Sequence, residues 1–104
     1  MTQYKMTTIR VKFGCLAEFF DAFRDLVLPL VERSGRQKLV AGYHTVTGPS
    51  IFEVIHIWEL DDANAHVRGL LDPSDRDFVA VCERLKDLVE DEGSNLLLKT
   101  PYSP

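Results

Sequence analysis

His56, Trp58, Tyr43, His66 and Arg68 are the residues of this chain whose types and positions could do chemistry. His56 interrupts an apolar run, Val54-Ile55-His56-Ile57-Trp58, so it either satisfies a buried partner or faces a pocket. The Trp58 indole is large and apolar but carries one N–H. A polar ligand could satisfy that donor if the ring is buried. His66 falls on the apolar stripe of a short helical segment and, with a side-chain pKa near neutrality, could act as general base toward a phenolic or enolic substrate. Arg68 lies just off that stripe, where it could hold an anionic ligand group or stay solvated. Tyr43 offers a polar tip on an apolar body. An even-length turn across Gly48-Pro49 would pair Tyr43 near Val54 and Ala41 near His56. That register puts Tyr43, His56 and Trp58 on one face and His44 on the other. A bulge in the second strand would reverse the assignment for Tyr43 and His44.

Other chemistries find little support. The three histidines form no His-x-His or His-x-x-x-His pair and meet no cysteine or carboxylate cluster, so no metal site is expected. There is no G-x-S-x-G elbow for a nucleophilic serine. Neither G-x-G-x-x-G nor a P-loop occurs, and no nucleotide or other cofactor is expected. Cys15 and Cys82 stand far apart, with no C-x-x-C motif. Cys82 reads as a small hydrophobe on a helix stripe, while Cys15 sits at a helix start. Two reduced thiols suit a cytoplasmic address.

Composition narrows the partners. With 12 Lys+Arg against 16 Asp+Glu, the net charge of −4 and the absence of a basic stripe argue against nucleic acid. No apolar run is long enough to span a bilayer, and residues 1–10 lack the apolar core of a secretory signal. The 104 residues fit a single domain, 1–104, able to bury a core without metal or disulfide.

The elements that would position these groups follow from periodicity. Residues 4–13 alternate as a first strand, with Thr7, Ile9, Val11 and Phe13 on one face. Leu16, Phe19, Phe20, Phe23, Leu26, Val27, Leu30 and Val31 repeat at helical spacing, Pro29 should kink the last turns, and Ser34-Gly35 should end the helix. Strands over 38–46 and 51–60 form a hairpin. A short helix follows, with Ala63, His66, Val67, Leu70 and Leu71 on its apolar face, and stops at Pro73. Phe78, Val81, Cys82, Leu85, Leu88 and Val89 stripe a further helix that Gly93 closes, with Glu90-Asp91-Glu92 at its C-terminus. Residues 95–99 make a last strand, and 100–104 an extended tail. The order β-α-β-β-α-α-β predicts an α+β, ferredoxin-like fold: a four-stranded antiparallel sheet with its helices on one face.

The third strand is apolar on both faces, Val54, His56 and Trp58 on one and Ile55 and Ile57 on the other. Helices on one side leave the Ile55–Ile57 face, with Val40, to bury against a second copy. A standard interface of about 800 Å² per partner would give a stable homodimer.

The chain also resembles the NIPSNAP family of the dimeric α/β barrel superfamily, from about Val11 to Lys99. The resemblance is carried by Leu28-Pro29-Leu30 with Arg33 and Gly35, Lys38-Leu39-Val40-Ala41-Gly42-Tyr43, the turn glycine Gly48, Val54-Ile55-His56-Ile57-Trp58-Glu59, and Asp72-Pro73 with Phe78. The family's usual first-strand Arg and Tyr appear here as Thr7 and Ile9, and its Trp after Asp-Pro gives way to Ser74-Asp75. The resemblance implies a dimeric α/β barrel that binds a small apolar or aromatic molecule in a cleft between sheet and helices, with Tyr43, His56, Trp58, His66 and Arg68 as candidate lining. Its superfamily also includes cofactor-independent monooxygenases and small cyclases. On that alternative, Trp58 and Tyr43 would stack an aromatic or polyketide-like substrate, and His66 or His56 would move a proton.

Overall fold

The first strand, β1 (Gln3–Val11), buries every second residue: Lys5, Thr7, Ile9 and Val11 are covered while Arg10 is exposed. That period of two is what a strand with one covered face requires. The chain is seen in a computed structural model that describes residues 3–33, 37–48, 52–60 and 76–104, of Phe78 the backbone only. Gly14, at φ +79°, turns the chain out of β1, and Gly48, at φ +110°, does the same in the hairpin. Both conformations are open to glycine without steric cost.

The expected long helix forms in three pieces. Helix α1 (Leu16–Ala22) runs into a π-helical turn (Phe23–Val27) and then α2 (Leu28–Arg33). The Leu28 N–H donates to the Phe23 carbonyl, five residues back. Pro29 accounts for the widening: it has no N–H to give, and its ring would collide with the carbonyl four residues earlier. The distortion expected in the last turns therefore lies just upstream of the proline.

Strands β2 (Gln37–His44) and β3 (Glu53–Leu60) pair antiparallel, β3 pairs with β1, and β1 with β4 (Val89–Leu97). The sheet order is β2-β3-β1-β4, which makes β1 and β3 central. This is the α+β, ferredoxin-like arrangement that the sequence predicts. Helix α3 (Arg76–Leu85) ends earlier than its apolar stripe suggested. Leu88, Val89 and Glu90-Asp91-Glu92 leave the helix, and from Val89 on the chain is an edge strand. Eight paired positions along β1 outweigh the poor strand propensity of Glu, Asp and Gly. Acidic side chains also protect an edge from pairing with foreign strands. The tail closes a turn, with Ser103 N–H donating to Thr100 O at 3.0 Å, rather than running extended.

The core lies between the sheet and the helices. Ile9, Val11, Phe19 and Val54 form its buried centre, with Cys15, Leu16, Phe23, Leu85 and Val89 packed around it. Phe13 does not join them: it is 84% exposed, and its ring meets that of Phe52 edge to face at 5.2 Å. Among the described residues no helix covers the opposite face, where Met6, Thr8, Ile55 and Ile57 are half-buried.

Candidate functional site

Cross-strand register gathers a row of polar groups on the helix-facing side of the sheet. Thr7 lies opposite His56 and Lys5 opposite Trp58, while Ser94 and Glu92 of β4 stand opposite Thr7 and Ile9. Gln37 of β2 is opposite Leu60 at the same end as Lys5. Lys5, Thr7, Gln37 and His56 are all buried, an unusual load for the covered face of a small sheet.

Each group solves its burial differently. The Lys5 ammonium donates to Gln37 Oε1 at 2.7 Å and stands 5.7 Å from the Trp58 ring centroid. Desolvation lowers its pKa to about 8, with the charge of Glu92 pulling the other way. The Thr7 and Ser94 hydroxyls share a hydrogen bond of 3.3 Å. His56 is the exception: its Nδ1 has no hydrogen-bond partner among the described residues. Burial holds its pKa down at about 4, so the imidazole is neutral at physiological pH.

Aromatic rings cover this row. Phe23, on the π-helical turn, lies 4.3 Å from the His56 ring and 6.3 Å from Trp58, centroid to centroid. His56 and Trp58 meet edge to face at 5.9 Å. Gly42 stands opposite His56, where a Cβ would come within 3.4 Å of its Cδ2.

Beside these rings lies a cleft of about 290 Å³ between sheet and helices, lined by Ile9, Phe19, Phe23, Val27, Cys82, Leu85, Lys86, Val89 and Glu92. Its walls are mostly apolar, the usual lining of a small-molecule site. Burial, with Glu92 and Glu83 nearby, pushes the Cys82 thiol up, which keeps it protonated and unreactive. His56 and Trp58 do not line this cleft themselves. Phe23 separates them from it.

The face expected for Tyr43 is corrected. Up to Leu39 the pairing follows an even-length turn, with Leu39 opposite Trp58, but the register shifts before Ala41. Val40 is the extra residue. Beyond it Tyr43 pairs with Ile55 and His44 with Val54. Tyr43 therefore belongs to the outer face, 63% exposed, and His44 turns inward to meet Phe20 at 5.3 Å. His66 and Arg68 lie outside the described residues, as does the short helix expected to carry them. Among the described residues no group of three or more His, Cys, Asp or Glu could hold a metal ion.

Lys5, Gln37, Phe23 and Glu92 were not singled out from the sequence. Lys5 could have been, since it shares the parity of Thr7, Ile9 and Val11. Glu92 could not, because a helix was expected there.

The NIPSNAP family model matches residues 4–104. An uncharacterized NIPSNAP domain protein from Burkholderia xenovorans superposes with a TM-score of 0.83 at 20% identity, over 98% of each chain. A NIPSNAP family protein from Agrobacterium tumefaciens gives 0.79 at 25% identity, over 100% of this chain and 98% of its own. A putative antibiotic biosynthesis monooxygenase from Bordetella bronchiseptica gives 0.77 at 15% identity, over 95% and 97%, a likeness of fold alone. No curated protein sequence matches the chain.

Proposed function

The chain belongs to the NIPSNAP family, and from that premise we propose that it is a homodimeric binding protein whose helix-side cleft takes up a small apolar or aromatic molecule. The observation that carries this reading is the cleft of about 290 Å³ walled by Ile9, Phe19, Phe23, Val27, Leu85 and Val89. Apolar surface left open beside a sheet gains free energy when a ligand covers it, at roughly 25 cal/mol per Å². His56 and Trp58 act beneath the site: they hold Phe23, which forms part of the wall. His66 and Arg68 remain candidates for the same ligand from the segment that follows β3.

Binding is preferred to turnover because the described histidine nearest the cleft is a poor base. A general base works best with a pKa near the operating pH, and burial takes His56 down to about 4. A cofactor-independent oxygenase or cyclase would need a better proton acceptor, which leaves that alternative resting on His66.

The homodimer is part of the same reading. Met6, Ile55 and Ile57, with Tyr43 beside them, give the outer face an apolar centre. It is ringed by charges, Arg10 opposite both Glu53 and Asp91, and Lys38 opposite Glu59. An apolar centre with a polar rim is the usual anatomy of an interface. A cytoplasmic address fits the free thiols of Cys15 and Cys82.

The test uses Trp58, the sole tryptophan. Titration with nitrobenzene, a neutral aromatic quencher, is expected to give saturable loss of Trp58 emission with the ligand recovered unchanged. Linear, non-saturating quenching equal to that of free tryptophan would contradict uptake.

A further inference from the structure

Glu92 is the one acidic side chain among the described residues lining the cleft. It comes from the edge strand β4, opposite Ile9, on the helix-facing side. Its backbone N–H donates to Asp91 Oδ1 at 2.9 Å, but its carboxyl makes no hydrogen bond and no ion pair among the described residues. The apolar surroundings raise its pKa against the opposing pull of Lys5. The cleft's other charge, Lys86, is held at the rim by Glu83 Oε2 at 2.7 Å, with both side chains mostly in water. Glu92 is exposed, so its carboxyl stands partly in water on the lining of the cleft, with acceptor capacity that the protein itself does not use.

The geometry points to Glu92 as the polar anchor of the cleft, selecting apolar or aromatic molecules that carry an amine. This rests on the binding reading above and adds the chemical class of the ligand. An ammonium supplies the donor and the opposite charge together, and charge-assisted hydrogen bonds are about twice as strong as neutral ones. An acid of the same size would meet Glu92 as a like charge. A plain hydrocarbon would fill the cleft and leave the carboxyl unanswered.

The experiment compares 2-phenylethylamine, propylbenzene and 3-phenylpropanoate by calorimetry on the wild type and on Glu92→Leu and Glu92→Gln. In the wild type the amine is expected to bind about tenfold or more tighter than propylbenzene, and the carboxylate more weakly than either. Glu92→Leu should bring amine and hydrocarbon to equal affinity, and Glu92→Gln should fall between. Propylbenzene uptake in both variants serves as the check that the cleft is still formed. Equal binding of all three arenes by the wild type, or preference for the carboxylate, overturns the role of Glu92 and leaves the binding cleft standing. Uptake of none of them overturns both.

Discussion

The Phe23 ring lies 4.3 Å from the imidazole of His56, tilted by 34°. The contact ties the π-helical turn to the sheet. It closes the only described histidine buried on the helix side beneath an aromatic cover, and the other side of that cover is a wall of the cleft.

The contact has a consequence for acid stability. His56 titrates near 6.5 when unfolded and at about 4 in the fold. As the pH falls below 6.5 the unfolded chain takes up a proton that the folded chain refuses. Stability is therefore full above pH 6.5 and is lost progressively down to about 4, by on the order of 3 kcal/mol. His56→Leu removes the titration and an unsatisfied buried nitrogen. Urea unfolding at pH 7 should find this variant within about 1 kcal/mol of the wild type, and it should keep more of its stability at pH 5. An unchanged acid slope would mean that His56 is not the group responsible.

Lys5 predicts the alkaline side. Its folded pKa, about 8, lies below the ordinary 10.5, so burial opposes its charged form. The cost is present below pH 8 and is relieved as the pH rises toward 10.5. Wild-type stability should gain over that range relative to Lys5→Met. Gln37→Ala removes the 2.7 Å acceptor of the ammonium and should cost about 1–3 kcal/mol at pH 7, measured by denaturant unfolding. In the Lys5→Met background the same change should cost less.

Much of the fold was legible because β1, β2 and β3 alternate and α1 is amphipathic; these patterns report directly which face is covered. Two features were not. The start of β4 reads Val89-Glu90-Asp91-Glu92-Gly93, which continues a helical stripe and has no strand signal of its own. It becomes a strand only because β1 offers it a complete edge. The bulge at Val40 likewise has no local mark: Val-Ala-Gly reads as an ordinary strand. Yet one extra residue exchanges the faces of Tyr43 and His44 and so decides which aromatic meets the helices. The site was legible in part. His56 and Trp58 stood out as polar or polar-tipped groups in an apolar strand, whereas the cleft depends on packing between distant elements.

The bulge can be tested by deletion. Without Val40, Leu39 and Ala41 become neighbours against Trp58 and Ile57, so the ladder turns regular while Tyr43 stays opposite Ile55 and His44 opposite Val54. Proton NMR should then keep the Phe20–His44 ring contact, seen here at 5.3 Å, with a change in stability of no more than about 1–3 kcal/mol. Loss of the Phe20–His44 contact would show that the hairpin had slipped and that Val40 is not the extra residue.

The outer face makes its own prediction. Ile57 sits on the central strand β3, half-buried, with no helix over it among the described residues. In the proposed homodimer, Ile57→Lys sets a charge in the middle of each partner's interface. Sedimentation should show wild-type mass at twice the chain weight and the variant at the chain weight of 11.8 kDa, with circular dichroism unchanged. A wild type that sediments as a single chain at micromolar concentration would remove the dimer from the account.

Uptake in the helix-side cleft is tested most directly by methyl NMR of the protein titrated with naphthalene. The methyl resonances of Ile9, Val27, Leu85 and Val89, all lining the cleft, are expected to shift and saturate together, while those of Ile55 and Ile57 on the outer face stay in place. No shift at the cleft methyls, or shifts confined to Ile55 and Ile57, would contradict it.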